Sequence, residues 1–155
     1  MTTLQPKTRE AVLQIAAWQI GVLESPSGSN RQKYGEAYGI NGVAWCMIFV
    51  WWVFKEAGFN LYRTASCSVL ASRYKDAGQW VTSNYKPGDI VMFDFSGKKA
   101  KTQHVGIVER VYTDGTVVTI EGNTGTTNDT NGGAVMRRTR AAKYITGACR
   151  PGYNQ

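Results

Sequence analysis

The sequence contains one histidine, His104, and three cysteines, Cys46, Cys67 and Cys149, and each scarcity excludes some chemistry. Catalytic zinc sites generally take two or three histidines, so a lone histidine argues against a zinc enzyme. No C-x-x-C pair occurs and the odd cysteine count leaves at least one thiol unpaired, which indicates neither a disulfide framework nor a zinc ribbon. The glycine fingerprints of P-loop and dinucleotide-binding proteins are missing. Acidic residues are few, 11 against 18 Lys and Arg, and the resulting net charge of +7 predicts attraction to polyanions such as nucleic acid, anionic membrane or phosphate-bearing wall polymers. The longest apolar run, Val43 to Phe54, falls short of the roughly 20 residues needed to span a bilayer. The opening stretch "MTTLQPKTREAVLQIAAWQIGVLE" lacks the basic-then-apolar layout of a signal peptide. A soluble product made in a cytoplasm is expected, with something else carrying it to any site of action outside the cell.

What is present describes a globular chain. A length of 155 residues with 43% hydrophobic and 12% aromatic content suits one compact domain, taken as 1–155. Thr8 to Leu23 carries apolar residues at helical spacing, and Pro26 with "SPSGSN" ends it. A loop rich in glycine and tyrosine follows. Trp45 to Ala57 favours strands by propensity, yet its length and the "KEAG" exit point to a helix buried nearly all round. Ser68 to Ala77 reads as a third helix closed by Gly78. After Pro87 the pattern changes to strands at Asp89–Phe95, His104–Tyr112 and Thr116–Asn123, with "AVMRRTR" and "ITGACRP" as two more. Gly122 to Gly133 reads as a polar loop. Helices first and antiparallel strands second predict an α+β fold.

Cys46 stands at the front of "GVAWCMIFVWWVF". A buried cysteine is ordinary, but one at the first turn of a helix meets unpaired N–H groups and a dipole that favour its thiolate. His104 begins a strand, and the next strand ends in "IEGN". There Glu121 and Asn123 are two residues apart and expected on one face, where a carboxylate and an amide can fix an imidazole's tautomer and hold its charge. Thiol, base and orienting group are the three parts of cysteine nucleophilic catalysis. An inert core thiol, a structural histidine and a Gly-Asn turn are the plainer readings of the same residues. Cys67 and Cys149 are read as lacking a helix-start setting or a nearby partner, and so as structural.

Taken in order, "WCMIFVWWVF", "KPGDIVMFDF", "HVGIVE", "IEGN" and the closing "CRP" resemble the CHAP domain. Its members are cysteine- and histidine-dependent amidohydrolases/peptidases of papain-like fold, found in phage endolysins and bacterial wall hydrolases. The resemblance runs from about Gly21 to Pro151. It implies N-terminal helices packed on an antiparallel sheet, with Cys46 as nucleophile, His104 as base, Glu121 as orienter and Asn123 as a fourth polar member. It implies cleavage of an amide bond in bacterial peptidoglycan, as an endopeptidase or an N-acetylmuramoyl-L-alanine amidase. "KYG" at Lys33–Gly35 also matches the family, so Tyr34 either lines the site or packs beneath it, and Trp45 either walls the cleft or joins the core.

Some relatives bind calcium through acids just before the cysteine, but Ser25 to Trp45 holds only Glu36. "NDTNGG" resembles the opening of a calcium loop, yet position 140, where a glutamate is needed, is arginine. No metal or other cofactor is expected. Peptidoglycan is the expected partner, with anionic wall polymers as a further one for the basic stretches Arg137–Lys143 and Lys98–Lys101. Nucleic acid is not expected, and a monomer is. Release to the wall through a holin-type pore or on lysis fits the missing signal peptide. The rival readings are a cationic binding module without catalysis, and an acyltransferase or deamidase on the same scaffold.

Overall fold

The computed structural model of the chain describes residues 4–154. Four helices come first: α1 (Arg9–Trp18), α2 (Lys33–Tyr38), α3 (Cys46–Glu56) and α4 (Cys67–Asp76). Six strands follow: β1 (Trp80–Val81), β2 (Ile90–Phe93), β3 (His104–Val111), β4 (Val117–Thr124), β5 (Ala134–Arg140) and β6 (Ile145–Cys149). The strands form one antiparallel sheet in the order β1-β6-β2-β3-β4-β5. The α+β pattern read from the sequence is the architecture observed.

The stretch that strand propensity would have claimed is helical because it sits at the centre. Met47 to Trp51, Val53 and Phe54 are all buried in α3, which packs on α1 and α2 on one side and on β3 and β4 on the other. A strand offers two faces; a helix of this composition is covered on every side. The sheet is apolar on its far face as well. There Val91, Phe93, Val108, Val117, Ile145 and Ala148 pack with Phe95 and Tyr144, which is why β2 reads as an unbroken apolar run.

Three local readings differ. α1 ends at Trp18, not Leu23, because the chain turns to pair with the start of β5. Gly21 donates to the Val135 carbonyl at 3.0 Å and Val135 donates to Val22 at 2.9 Å. The glycine- and tyrosine-rich loop contains α2, six residues long, capped by the Gln32 side chain on Gly35 N–H at 2.8 Å and stopped by Gly39 at φ 95°. α4 begins one residue earlier than expected, so Cys67, and not Ser68, is its first residue.

Two long-range features hold the site's frame. Arg150 of the "CRP" segment forks Asp89 of "KPGD", Nε to Oδ1 at 3.0 Å and Nη2 to Oδ2 at 2.9 Å, tying the chain after β6 to the entry of β2. Gly122 on β4 lies directly beneath α3, where an added Cβ would stand 2.6 Å from Cβ of Phe49.

Candidate active site

Cys46 is the first residue of α3, and the residue before it, Trp45, offers no side-chain cap to the helix start. The free N–H groups of the first turn therefore remain for the sulfur, and the Met47 N–H bonds it. Cys46 as a residue is partly exposed. Its acidity is pushed well below the ordinary thiol value, first by a hydrogen bond from Cys67, then by a hydrogen bond and positive charge from His104, against the opposing effect of burial.

His104 opens β3, opposite Phe93 of β2. The preceding loop is pinned by Asp94, whose Oδ1 accepts from Ser96 N–H and Oγ and whose Oδ2 accepts from the N–H groups of Ala100 and Lys101. Those four bonds hold the Asp94 carboxyl far below its usual range. The imidazole is buried, its ring 6.2 Å from each of the Phe93 and Phe95 rings. Nε2 meets Glu121 Oε1 at 2.9 Å, and the buried Nδ1 has no hydrogen-bond partner among the described residues, which leaves it free for the neighbouring Cys46. Burial opposes charge on this ring. The proximity of Cys46 and the bond to Glu121, with their negative charges, outweigh it and raise the pKa to about 9.

Glu121 is fully buried on β4 and has room there because Gly106 on β3 lacks a side chain; a Cβ would stand 2.8 Å from Glu121 Cγ. Its carboxylate accepts four bonds: His104 at Oε1, Thr119 Oγ1 at Oε2 at 2.5 Å, and both arms of Arg140, Nη2 to Oε1 at 2.6 Å and Nε to Oε2 at 2.9 Å. Burial works against the charged form, but the bonds from Arg140 and His104 prevail and lower the pKa to about 2. Cys46, His104 and Glu121 thus stand in one line, His104 bonded to Glu121 on one side and in electrostatic contact with Cys46 on the other.

The other residues singled out by the sequence lie differently. Asn123 does not join this line. It sits at φ 55° in a register break between Glu121 and Thr124, which ends the alternation that would align the two side chains. Its Oδ1 accepts from Gly133 N–H at 3.1 Å and its Nδ2 donates to Asn131 at 3.2 Å, so it ties together the loop after β4. Tyr34 and Trp45, candidates for lining the cleft, have no exposed surface at all. They stack with centroids 5.7 Å apart, Tyr34 donating to Gln19 at 3.0 Å and Trp45 Nε1 to Glu24 at 3.3 Å, and they support the floor beneath α3. Cys67 has a helix-start setting and a thiol partner after all, which corrects the reading that it lacks both. The basic stretch Arg137–Lys143 is largely neutralised: Arg137 pairs with Glu109, Arg138 with Asp129, and Arg140 with Glu121 and Asp129. Lys98, Lys99 and Lys101 are exposed. Arg140 escaped the sequence reading because its partners lie 11 and 19 residues away, across a loop whose path no periodicity reveals.

A pocket of about 530 Å³ lies between one face of α4 (Ser68, Ser72, Lys75) and the loop residues Lys101, Thr102 and Gln103. It begins one residue along the chain from Cys67 and from His104. Among the described residues, no three His, Cys, Asp or Glu side chains gather in a way that could hold a metal ion.

Among solved structures the chain is similar to the wild-type endolysin LysIME-EF1, with a TM-score of 0.61 and 17% identity over 94% of this chain and 65% of that one. It is also similar to Ly7917, solved alone (TM-score 0.51, 18% identity, 93% and 62% covered) and with "the hydrolyzing product of MDP" (TM-score 0.51, 17% identity, 93% and 63% covered). The chain spans under two thirds of the length of these solved proteins, and at such identities the likeness is one of fold. No curated protein matches the sequence significantly. Residues 38–123, more than half of the chain and the part that carries Cys46, His104 and Glu121, match the CHAP domain; the chain belongs to the CHAP domain family.

Proposed function

We propose that this protein hydrolyses an amide bond of bacterial peptidoglycan, as an endopeptidase or an N-acetylmuramoyl-L-alanine amidase, with Cys46 as nucleophile, His104 as acid and base, and Glu121 as the group that orients His104. The observation that carries the reading is the line from a thiol at an uncapped helix start, through the one histidine beside it, to the buried carboxylate that histidine bonds, in a chain of the CHAP family. The endolysin fold of its structural neighbours supports the choice of substrate.

The steps follow from the charges. Cys46 as thiolate attacks the carbonyl carbon of the amide, forming a C–S bond, and the oxygen takes the negative charge. The backbone N–H of Cys46 would help to hold that oxygen. His104, protonated at neutral pH by its raised pKa, gives a proton to the leaving nitrogen as the C–N bond breaks. Water, deprotonated by the now neutral ring, then attacks the thioester, the C–S bond breaks, and the thiolate is restored. Asn123 serves this scheme by shaping the loop after β4. The pocket beside α4 is where the chain flanking the scissile bond would lie. Action at the wall, with anionic wall polymers drawn to the exposed Lys98–Lys101 stretch, completes the reading.

Mass spectrometry of purified Gram-positive cell walls, incubated with wild type or Cys46→Ala, tests it. Wild type is expected to release fragments with new termini whose masses name the bond, and Cys46→Ala none. Equal release by both would remove Cys46 from the mechanism, and binding without release by either would favour a cationic binding module. Release is expected to continue in the presence of a chelator; its loss, reversed by calcium, would show that a metal is required.

A further inference from the structure

We propose that Arg140 is the positioning residue of this site, that it forks Glu121 so that one oxygen stays aimed at His104, and that Asp129 makes this grip sensitive to the loop between β4 and β5. The proposal rests on the reading of Cys46, His104 and Glu121 as the catalytic run. Asp129 and Arg140 both lie beyond the segment that matches the family, 38–123.

The geometry gives Arg140 few other tasks. It is 6% exposed, the last residue of β5, and three of its four side-chain hydrogen bonds go to two carboxylates. Two engage both oxygens of Glu121, and Nη1 meets Asp129 Oδ1 at 2.7 Å. Its guanidinium lies 5.6 Å and 4.9 Å from the Phe93 and Phe95 ring centres, the same two rings that flank His104. A carboxylate held only by a histidine and a threonine can rotate about its last torsion, whereas a planar fork fixes the plane of both oxygens. Asp129 is partly exposed in the loop and is shared with Arg138, which also bonds the Gly125 carbonyl. A change in that loop therefore reaches His104 through three named contacts.

The charged and titratable groups around the site set the direction of the test. Cys46 is faced by His104 from β3 and Cys67 from α4, with Cys149 of β6 behind Cys67. His104 is faced by Glu121, and Glu121 by Arg140 and Thr119, with Asp129 and Arg138 outermost. Removing the positive charge of Arg140 raises the proton affinity of every acid in this group.

Because His104 is the chain's one histidine, its ring nitrogens can be followed by nitrogen-15 NMR without interference. In Arg140→Met the acid-side step, at which Cys46 takes up a proton, is expected to move up by about one pH unit. The downfield Nε2 proton held by Glu121 is expected to exchange faster. Arg140→Lys restores the charge but not the fork: the step returns toward wild type while the Nε2 proton stays labile and wall release slows roughly tenfold. Asp129→Asn removes a negative charge and shifts the step the opposite way, by less. If Arg140→Met and Arg140→Lys both keep the wild-type titration and Nε2 exchange, Arg140 is a structural staple and the proposal is overturned, whatever happens to the melting temperature. Should Arg140→Met fail to fold, an unmoved step in Asp129→Asn together with unchanged Nε2 exchange in Arg140→Lys overturns it equally. These readouts need no substrate, so intact NMR signatures with no wall release would sink the hydrolase reading and leave this one standing.

Discussion

Cys46 and Cys67 each begin a helix and interact through their thiols, yet they are driven in opposite directions. Cys46 is made more acidic. Cys67 is made much less so, because it gives its hydrogen bond to Cys46, is buried, and feels the negative charges of Cys46 and Cys149. Two differences separate them. The start of α4 is capped by Ser66, whose Oγ accepts from Val69 N–H at 3.2 Å, whereas α3 starts without such a cap. And only Cys46 has an imidazole beside it. A helix N-terminus alone does not make a thiol acidic; an uncapped one beside a histidine does.

The sharpest way to break this comparison is to remove each sulfur in turn. Cys46→Ser is expected to slow fragment release from cell walls by roughly a thousandfold or more, while Cys67→Ser stays within about tenfold of wild type. The reverse order, read from the same mass-spectrometric rates, would exchange their roles. Next in size is Glu121→Gln, which keeps the shape and takes away the charge. Release is expected to fall roughly a hundredfold, and the His104 pKa, followed by NMR, to drop below its wild-type value of about 9.

The pH profile of release should be a bell. Its alkaline limb lies near pH 9, where His104 loses its proton, and its acid limb lies well below the ordinary thiol value. Stability follows the same groups with opposite signs. The folded-state pKa of His104 is raised, so its contribution is complete below 6.5 and is lost as pH rises through about 9. That of Glu121 is lowered, so its contribution is present above 4.5 and is lost as pH falls through about 2. Melting temperatures across that span would show both edges; a flat curve between pH 6.5 and 9 would deny His104 its raised value. The smallest effect is expected from Cys67→Ala. Loss of its hydrogen bond moves the acid limb upward, and alkylation of Cys46 at mildly acidic pH slows severalfold, because less of the thiol is ionised.

The sequence made the central helix and the five longer strands legible, because apolar patterning and turn residues are local signals. It made Cys46, His104 and Glu121 candidates because each stands at or near an element's end. It did not show that Asn123 leaves the face of Glu121, since a single residue at positive φ breaks an alternation that otherwise predicts well. α2 was missed because six residues carry almost no periodicity and its limits are set by Gln32 and Gly39. α1 was drawn too long because a backbone pairing with β5, more than 100 residues away, overrides its local preference. Tyr34 and Trp45 could be read as surface or core from sequence, and only the packing of α2 against α3 places them inside. Arg140 was visible only as the wrong residue for a calcium loop and as one charge of a basic stretch, not as a partner of Glu121.

The glycine of "IEGN" bears on all of this. With Phe49 Cβ only 2.6 Å from where its own Cβ would be, Gly122 lets the helix that bears the thiol rest directly on the strand that bears the carboxylate. Their clearance is set by contact, as by a gauge block, and a single methyl group here would act as a shim. The tolerance to which Cys46 and Glu121 are held relative to His104 is thus the width of one hydrogen atom on a neighbouring strand residue that takes no part in the chemistry.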